Sequence, residues 1–227
     1  MQVTLGQPPI QITLRRMARA QRFSLRVAAS DGRVTLSLPL RAREADAMAF
    51  AQSQEGWIRA ALSKMPQGVQ VALGETITLE GVALTLTSGQ GRSVRVEGDQ
   101  LIIPGDPDRV AARVAAFLKV RARDRLAAAS DHYAAQIGRQ VTQISLRDTR
   151  SRWGSCTHQG ALMYNWRLIM APPSVLDYVA AHEVAHMAEM NHSDAFWAVV
   201  ARLYPAWRVQ RAWLKRYGAQ LQAVQFD

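Results

Sequence analysis

Three of the five histidines in this 227-residue sequence fall within eleven residues, in the run Ala181-His182-Glu183-Val184-Ala185-His186-Met187-Ala188-Glu189-Met190-Asn191-His192. On a helix, His182 and His186 stand four apart and project from one face about a turn from each other, so two imidazoles can converge on one zinc ion. Glu183 lies about 100 degrees round the axis. From there its carboxylate reaches a water drawn to that ion without being a ligand, which is a general-base position. In a chain of this composition His-Glu-x-x-His is expected by chance about 0.003 times, so coincidence is a poor explanation. Val175, Val179, His182 and His186 follow one helical stripe, which turns the pair toward a covered region. Two imidazoles buried there without a metal would need other partners.

Catalytic zinc takes three protein ligands and keeps a fourth position open. Two residues compete for the third place. Glu189 is seven residues from His182, on the same face but about 10 Å along a straight helix. His192 follows Asn191, a residue type that tolerates the left-handed conformation ending a helix, so a chain turning back there brings His192 over the metal. The spacing favours His182, His186 and His192, with Glu189 as a hydrogen-bond acceptor behind them or a solvated carboxylate. The chemistry is zinc-dependent hydrolysis, read as that of a peptide bond, in which Glu183 accepts the water proton and passes it to the leaving amine. Tyr164, Asn165, Arg167 and Tyr204 have the right types to stabilise an oxyanion, and nothing in the sequence chooses among them.

Residues 150 to 213 carry a wider pattern: Arg152-Trp153-Gly154-Ser155-Cys156, Asn165-Trp166-Arg167-Leu168, Tyr178-Val179, the histidine motif, Asn191-His192-Ser193 and Phe196-Trp197. This pattern resembles the YgjP-like family of metal-dependent hydrolases. The resemblance implies a zincin-type metallopeptidase domain with His182, His186 and His192 on zinc and Glu183 as catalytic base. The His182 to His192 spacing also equals that of the metzincins. Their pattern wants glycine where Glu189 stands and a methionine turn downstream, whereas the last methionine here is Met190. The metal motif is similar as well to that of SprT-like proteases, which act on proteins attached to DNA; that link is analogy.

The elements that must position these residues can be read from periodicity and punctuation. From Ile10 to Ile103 the chain reads as paired strands, with turns expected at Asp31-Gly32, Glu80-Gly81 and Gly98-Asp99. One helix, Arg43 to Lys64, interrupts them. Pro104-Gly105-Asp106-Pro107 predicts a domain boundary, giving a β-rich N-terminal region over 1–105 and a zincin-like domain over 106–227. The second part predicts a helix from Asp108 to Gln136, strands at Val141 to Leu146 and Ala161 to Leu168, and a metal-bearing helix capped by Ser174 and running to Met190. Ser193 caps the next helix; Pro205 opens a last one through Tyr217, closed by Gly218. The fold class is α+β with a small antiparallel sheet. If the strand ending at Leu168 is the edge of that sheet, an extended substrate can add to it as a further strand.

Composition sets the class. Hydrophobic residues make up 48% and charged residues 20%, which excludes a disordered or low-complexity chain. Cys156 is the one cysteine, so no internal disulfide forms. It reads as a small packed residue rather than a ligand. No run approaches 18 apolar residues and the first residues lack a signal-peptide pattern, so the expectation is a cytoplasmic protein without a membrane partner. The net charge is +10 and nearly all of the excess is arginine. Peptide or unfolded protein is the expected substrate. Nucleic acid is permitted by the charge without being favoured, since the cations on the 108–136 helix read as a solvated face. The alternative function is a nucleic-acid-associated protein, or a DNA-linked protease using its basic surface.

Overall fold

The computed structural model describes residues 1–28, 31–65 and 68–226. Its chain separates into two units, Met1–Gln67 and Gly68–Asp227. In the first, β1 (Gln2–Leu5), β2 (Ile10–Met17), β3 (Ser24–Val27) and β4 (Val34–Pro39) form a sheet in the order β1-β2-β4-β3. Period-two alternation buries Ile10, Ile12, Val34, Leu36 and Leu38 on one face, against Ala47, Ala51 and Ile58 of α1 (Glu44–Ser53) and α2 (Glu55–Ser63). The single helix predicted over Arg43 to Lys64 is thus two. The break falls at Gln54, just after Ser53, whose hydroxyl donates to the Phe50 carbonyl and competes with the helix ladder.

In the second unit, β5 (Thr76–Leu79), β6 (Val82–Gly89), β7 (Arg95–Glu97) and β8 (Gln100–Pro104) make a sheet in the order β5-β6-β8-β7. Both predicted hairpins form. At the first, Leu79 pairs with Val82 across Glu80 and Gly81, whose φ values of 50 and 80 degrees are those of a type I′ turn. A 3-10 turn leads into the 27-residue α3 (Val110–Gln136). Next come β9 (Gln143–Arg147), β10 (Gly154–Cys156), β11 (Ala161–Asn165), α4 (Pro173–Ala185), α5 (Asp194–Leu203) and α6 (Trp207–Ala223). Mixed α+β architecture with strands first is what the structure shows. No described helix is long and apolar enough to cross a membrane.

The division of the chain differs from the one expected at Pro104–Pro107. Leu79, Leu86, Leu101 and Ile103 belong to the same core as Val114, Leu118 and Val179, so the second sheet is part of the unit that holds the histidines. The proline and glycine there turn the chain within one core. The β5–β6 turn explains the attachment: the Glu80 amide donates to the Ile169 carbonyl at 2.7 Å and the Gly81 amide to Met170 at 3.3 Å. The Glu80 carboxylate meets Arg125 at 3.0 Å and Arg121 at 3.4 Å on α3.

Other differences lie closer to the site. The strand predicted to Leu168 stops at Asn165, whose side chain accepts from the Arg167 amide and starts a buried 3-10 turn, Trp166–Met170. The three-stranded sheet is ordered β10-β11-β9, with β10 antiparallel and β9 parallel to β11. It is therefore mixed, and the strand expected at an edge is central. The edge next to α4 is β10. Pro172 and Pro173, not Ser174, open α4, because a proline at the first helical position forfeits an amide that has no helical partner anyway. Gly218 does not end α6. A Cβ there would lie 2.9 Å from the Trp153 indole, so the glycine allows a close approach within the helix.

Gly81→Ala should be costly, since its φ is left-handed and a Cβ would come within 3.1 Å of the Pro172 backbone at the start of α4. A loss of about 1–3 kcal/mol is expected in urea unfolding, against little change for Gly56→Ala, where nothing lies within 4 Å.

Candidate metal centre

Nine of the thirteen residues of α4 are buried, and its alanines at 180, 181 and 185 let it sit deep in the unit. The helix stops at Ala185, five residues short of the predicted end, with His186 as its C-cap. Tight turns follow, Met187 N–H to the Val184 carbonyl at 2.9 Å and Ala188 N–H to Ala185 at 3.0 Å. Asn191 is not left-handed; among the described residues Glu80 is the non-glycine residue with positive φ. The return is completed instead by α5, whose N-cap Ser193 accepts from the Phe196 amide at 3.4 Å and so fixes its neighbour His192. His186 Nδ1 lies 3.1 Å from the Glu189 carbonyl; donating there leaves the Nε2 lone pair free.

The three sequence-predicted ligands come together. One nitrogen from each of His182, His186 and His192 lies within 4.8 Å of the others, and the Nε2 atoms of His182 and His192 are 3.2 Å apart. Glu189 is absent from that cluster, and it is its backbone carbonyl that orients His186. Burial pushes the His182 pKa down to about 3, with the neighbouring imidazoles adding to the effect, and burial likewise lowers that of His186. Neutral rings keep their lone pairs, which is the ligating form. This donor set can hold a divalent metal ion. Beneath it lies Phe196, fully buried, with ring centroids 4.4 Å from His186, 4.7 Å from His192 and 5.0 Å from His182. Phe196 had no assigned role in the spacing argument; its signal was its place four residues after His192.

Glu183 is 5% exposed and faces β10. A Cβ on Gly154 would fall 2.5 Å from its Oε1, so this glycine exists to admit the carboxylate. Burial pushes the Glu183 pKa up to about 8, while the Arg152 guanidinium works in the opposite direction. Flanking β10, the Trp153 carbonyl accepts from the Asn165 amide and the Thr157 amide donates to the Ala161 carbonyl across the ladder. By antiparallel alternation Gly154 and Cys156 then direct their backbone groups to the open side. The Cys156 thiol is pushed up to about 11 by burial and by Glu183, and it stays protonated at neutral pH.

Three of the four oxyanion candidates have structural duties. Tyr164 is buried and bonded to Ser130 at 2.9 Å. Asn165 donates to the Thr149 carbonyl at 2.7 Å. Arg167 holds Asp148 at 2.7 Å and the carbonyls of Leu221 and Val224 at 3.0 and 2.6 Å. Tyr204, at the end of α5, packs near Tyr178, whose ring is 5.9 Å from that of His182.

A model of the YgjP-like metallopeptidase domain matches residues 21–217. The chain belongs to the YgjP-like family. The family makes it a metal-dependent hydrolase of the metallopeptidase type. Among solved structures, the metallopeptidase zymogen abylysin of Pyrococcus abyssi matches with 21% identity and a TM-score of 0.36, over 44% of this chain and 95% of that one. None of the curated proteins matches the chain.

Gly154→Ala should force the Glu183 carboxylate out of its slot while leaving the three imidazoles in place. The expected result is metal uptake like that of the wild type with hydrolysis lowered at least tenfold; unchanged hydrolysis would show that the carboxylate has room to spare.

Proposed function

We infer that this chain is a zinc-dependent peptidase that cleaves extended, unfolded polypeptide, with His182, His186 and His192 as zinc ligands and Glu183 as general base. The observation that carries the reading is the convergence of three imidazoles beside a buried carboxylate at an open strand edge. Zinc bound by nitrogens at about 2.0–2.1 Å in a tetrahedron requires donors about 3.3 Å apart, and the His182 and His192 nitrogens stand at 3.2 Å. A structural zinc is closed by four protein ligands; three converge among the described residues, which suits a site that keeps one position open. Zinc bound there would bring the pKa of a water toward neutrality and polarise the scissile carbonyl.

The protein's own residues supply the rest. Glu183 takes the proton of the attacking water and delivers it to the leaving amine. Its buried carboxyl would hold a proton at neutral pH if left alone, and positive charge from Arg152 and from any cation on the histidines favours the ionised form. The outward backbone groups of Gly154 and Cys156 can pair with an extended substrate as a fourth strand, which lays it alongside Glu183. Main-chain pairing of this kind accepts many sequences but needs an unfolded segment. Of the four oxyanion candidates, Tyr204 is the one whose side chain the described hydrogen bonds do not commit elsewhere, and it would be the group to assist the developing oxyanion.

Glu183→Gln keeps size and hydrogen bonding but cannot accept the proton. Near-normal zinc content with hydrolysis of a mixed peptide library reduced by roughly two to four orders of magnitude is expected, and activity within a few-fold of wild type would sink the assignment of the base. His192→Ala should lose zinc to a chelator far faster than Glu189→Ala, because the latter keeps the backbone carbonyl that orients His186; equal retention in the two variants would remove His192 from the ligand set.

A further inference from the structure

More than half of the net charge belongs to the unit that does not hold the histidines. Unit Met1–Gln67 has ten basic residues against four acidic ones and so carries +6 of the chain's +10. Three of its four carboxylates are taken up by arginines: Asp31 by Arg33 at 3.2 Å, Asp46 by Arg43 at 2.9 Å and Glu55 by Arg59 at 2.6 Å. The fourth, Glu44, opens α1, which packs on the apolar face of the sheet. On the opposite face of that sheet Gln2, Arg15, Ser24 and Arg26 are exposed. Register places Gln2, Thr13, Thr35 and Arg26 side by side across all four strands. Arg15, Ser37 and Ser24 form the next row, about 6.6 Å along. Arg15 and Arg26 are exposed and, among the described residues, have no carboxylate partner. The second row borders a concavity of about 610 Å³ that Arg19 and Arg22 also line.

The cations of α3 differ. Arg121 and Arg125 are committed to Glu80, Arg123 donates to the Ile144 carbonyl, and Lys119 lies over the Trp166 ring. We propose that the outer face of the β1–β4 sheet is a binding surface for the phosphate backbone of duplex nucleic acid. Arginines interleaved with hydroxyls and amides are the groups that contact phosphate oxygens. Single-strand binders add aromatic platforms for bases, and this face has none: Phe23 and Phe50 stack on each other at 5.6 Å within the unit's core. A bilayer surface would call for an apolar face to insert, whereas these rows are polar. Recognition is consequently electrostatic and insensitive to base sequence.

The test is binding of the full chain to a fluorescein-labelled 30-base-pair duplex over a salt series. With four cations engaged, log K should fall with log salt at a slope of about −3.6, or about 150-fold between 50 and 200 mM. Arg15→Ser/Arg26→Ser should reduce that slope to about −1.8, and Arg19→Ser/Arg22→Ser should do the same. All four positions are exposed, and unchanged thermal midpoints would show both variants folded. Glu183→Gln should bind the duplex as the wild type does, so the surface stands or falls independently of the peptidase reading. The proposal is overturned by any of three results: no binding at 50 mM salt and micromolar protein, slopes unchanged in both double variants, or polyglutamate or phosphatidylserine vesicles competing as well as duplex at equal charge.

Discussion

Everything in the second unit serves one demand, that three imidazoles, His186 buried, His182 part-buried and His192 exposed, meet at one point. A ring nitrogen taken from water without a partner is costly, so the arrangement persists only where packing leaves the rings no alternative. Phe196 is that packing, a single buried ring in contact with all three histidines. It can do this because α4 ends at Ala185 and α5 begins at Asp194, so the chain folds back within eight residues and lays the second helix against the last turn of the first.

Such a fold-back requires that α4 itself cannot shift, and two features outside the histidine motif hold it. The β5–β6 turn donates two backbone hydrogen bonds to the 3-10 segment that leads into α4, and its Glu80 side chain ties the same point to α3. Arg167, almost fully buried between the Trp166 and Phe226 rings, gathers Asp148 and two carbonyls near the C-terminus. Breaking a buried, hydrogen-bonded charge of this kind costs more than its formation contributes. The segment 70–104 is thus a structural part of the metal-binding unit, however much its strands look like those that precede it.

Charge follows the same division. Within the second unit most cations on α3 have local partners, while the first unit holds a surplus on an open polar sheet face. Read along the chain, the two are indistinguishable runs of arginine. Only cross-strand register shows that Arg15 and Arg26 share a face with serines and threonines from three strands of the sheet, whereas Arg121 and Arg125 converge on one glutamate.

Local signals were legible in proportion to how local their physics is. The His182, Glu183 and His186 spacing is a property of one helical turn, and the Glu80-Gly81 turn a property of two residues, so both could be read from the chain alone. His192 was reached through the wrong device: Asn191 does not adopt the left-handed form, and an N-cap one residue beyond His192 sets its position. The boundary at Pro104–Pro107, the extension of β11 to Leu168 and the closure of α6 at Gly218 failed for one shared reason. Proline, glycine and alternation report what a backbone tolerates, not which core it joins. Whether β11 is central or an edge, whether Gly154 makes room for Glu183, and which arginines find partners depend on residues tens of positions apart, and those distances exist only once the chain is packed.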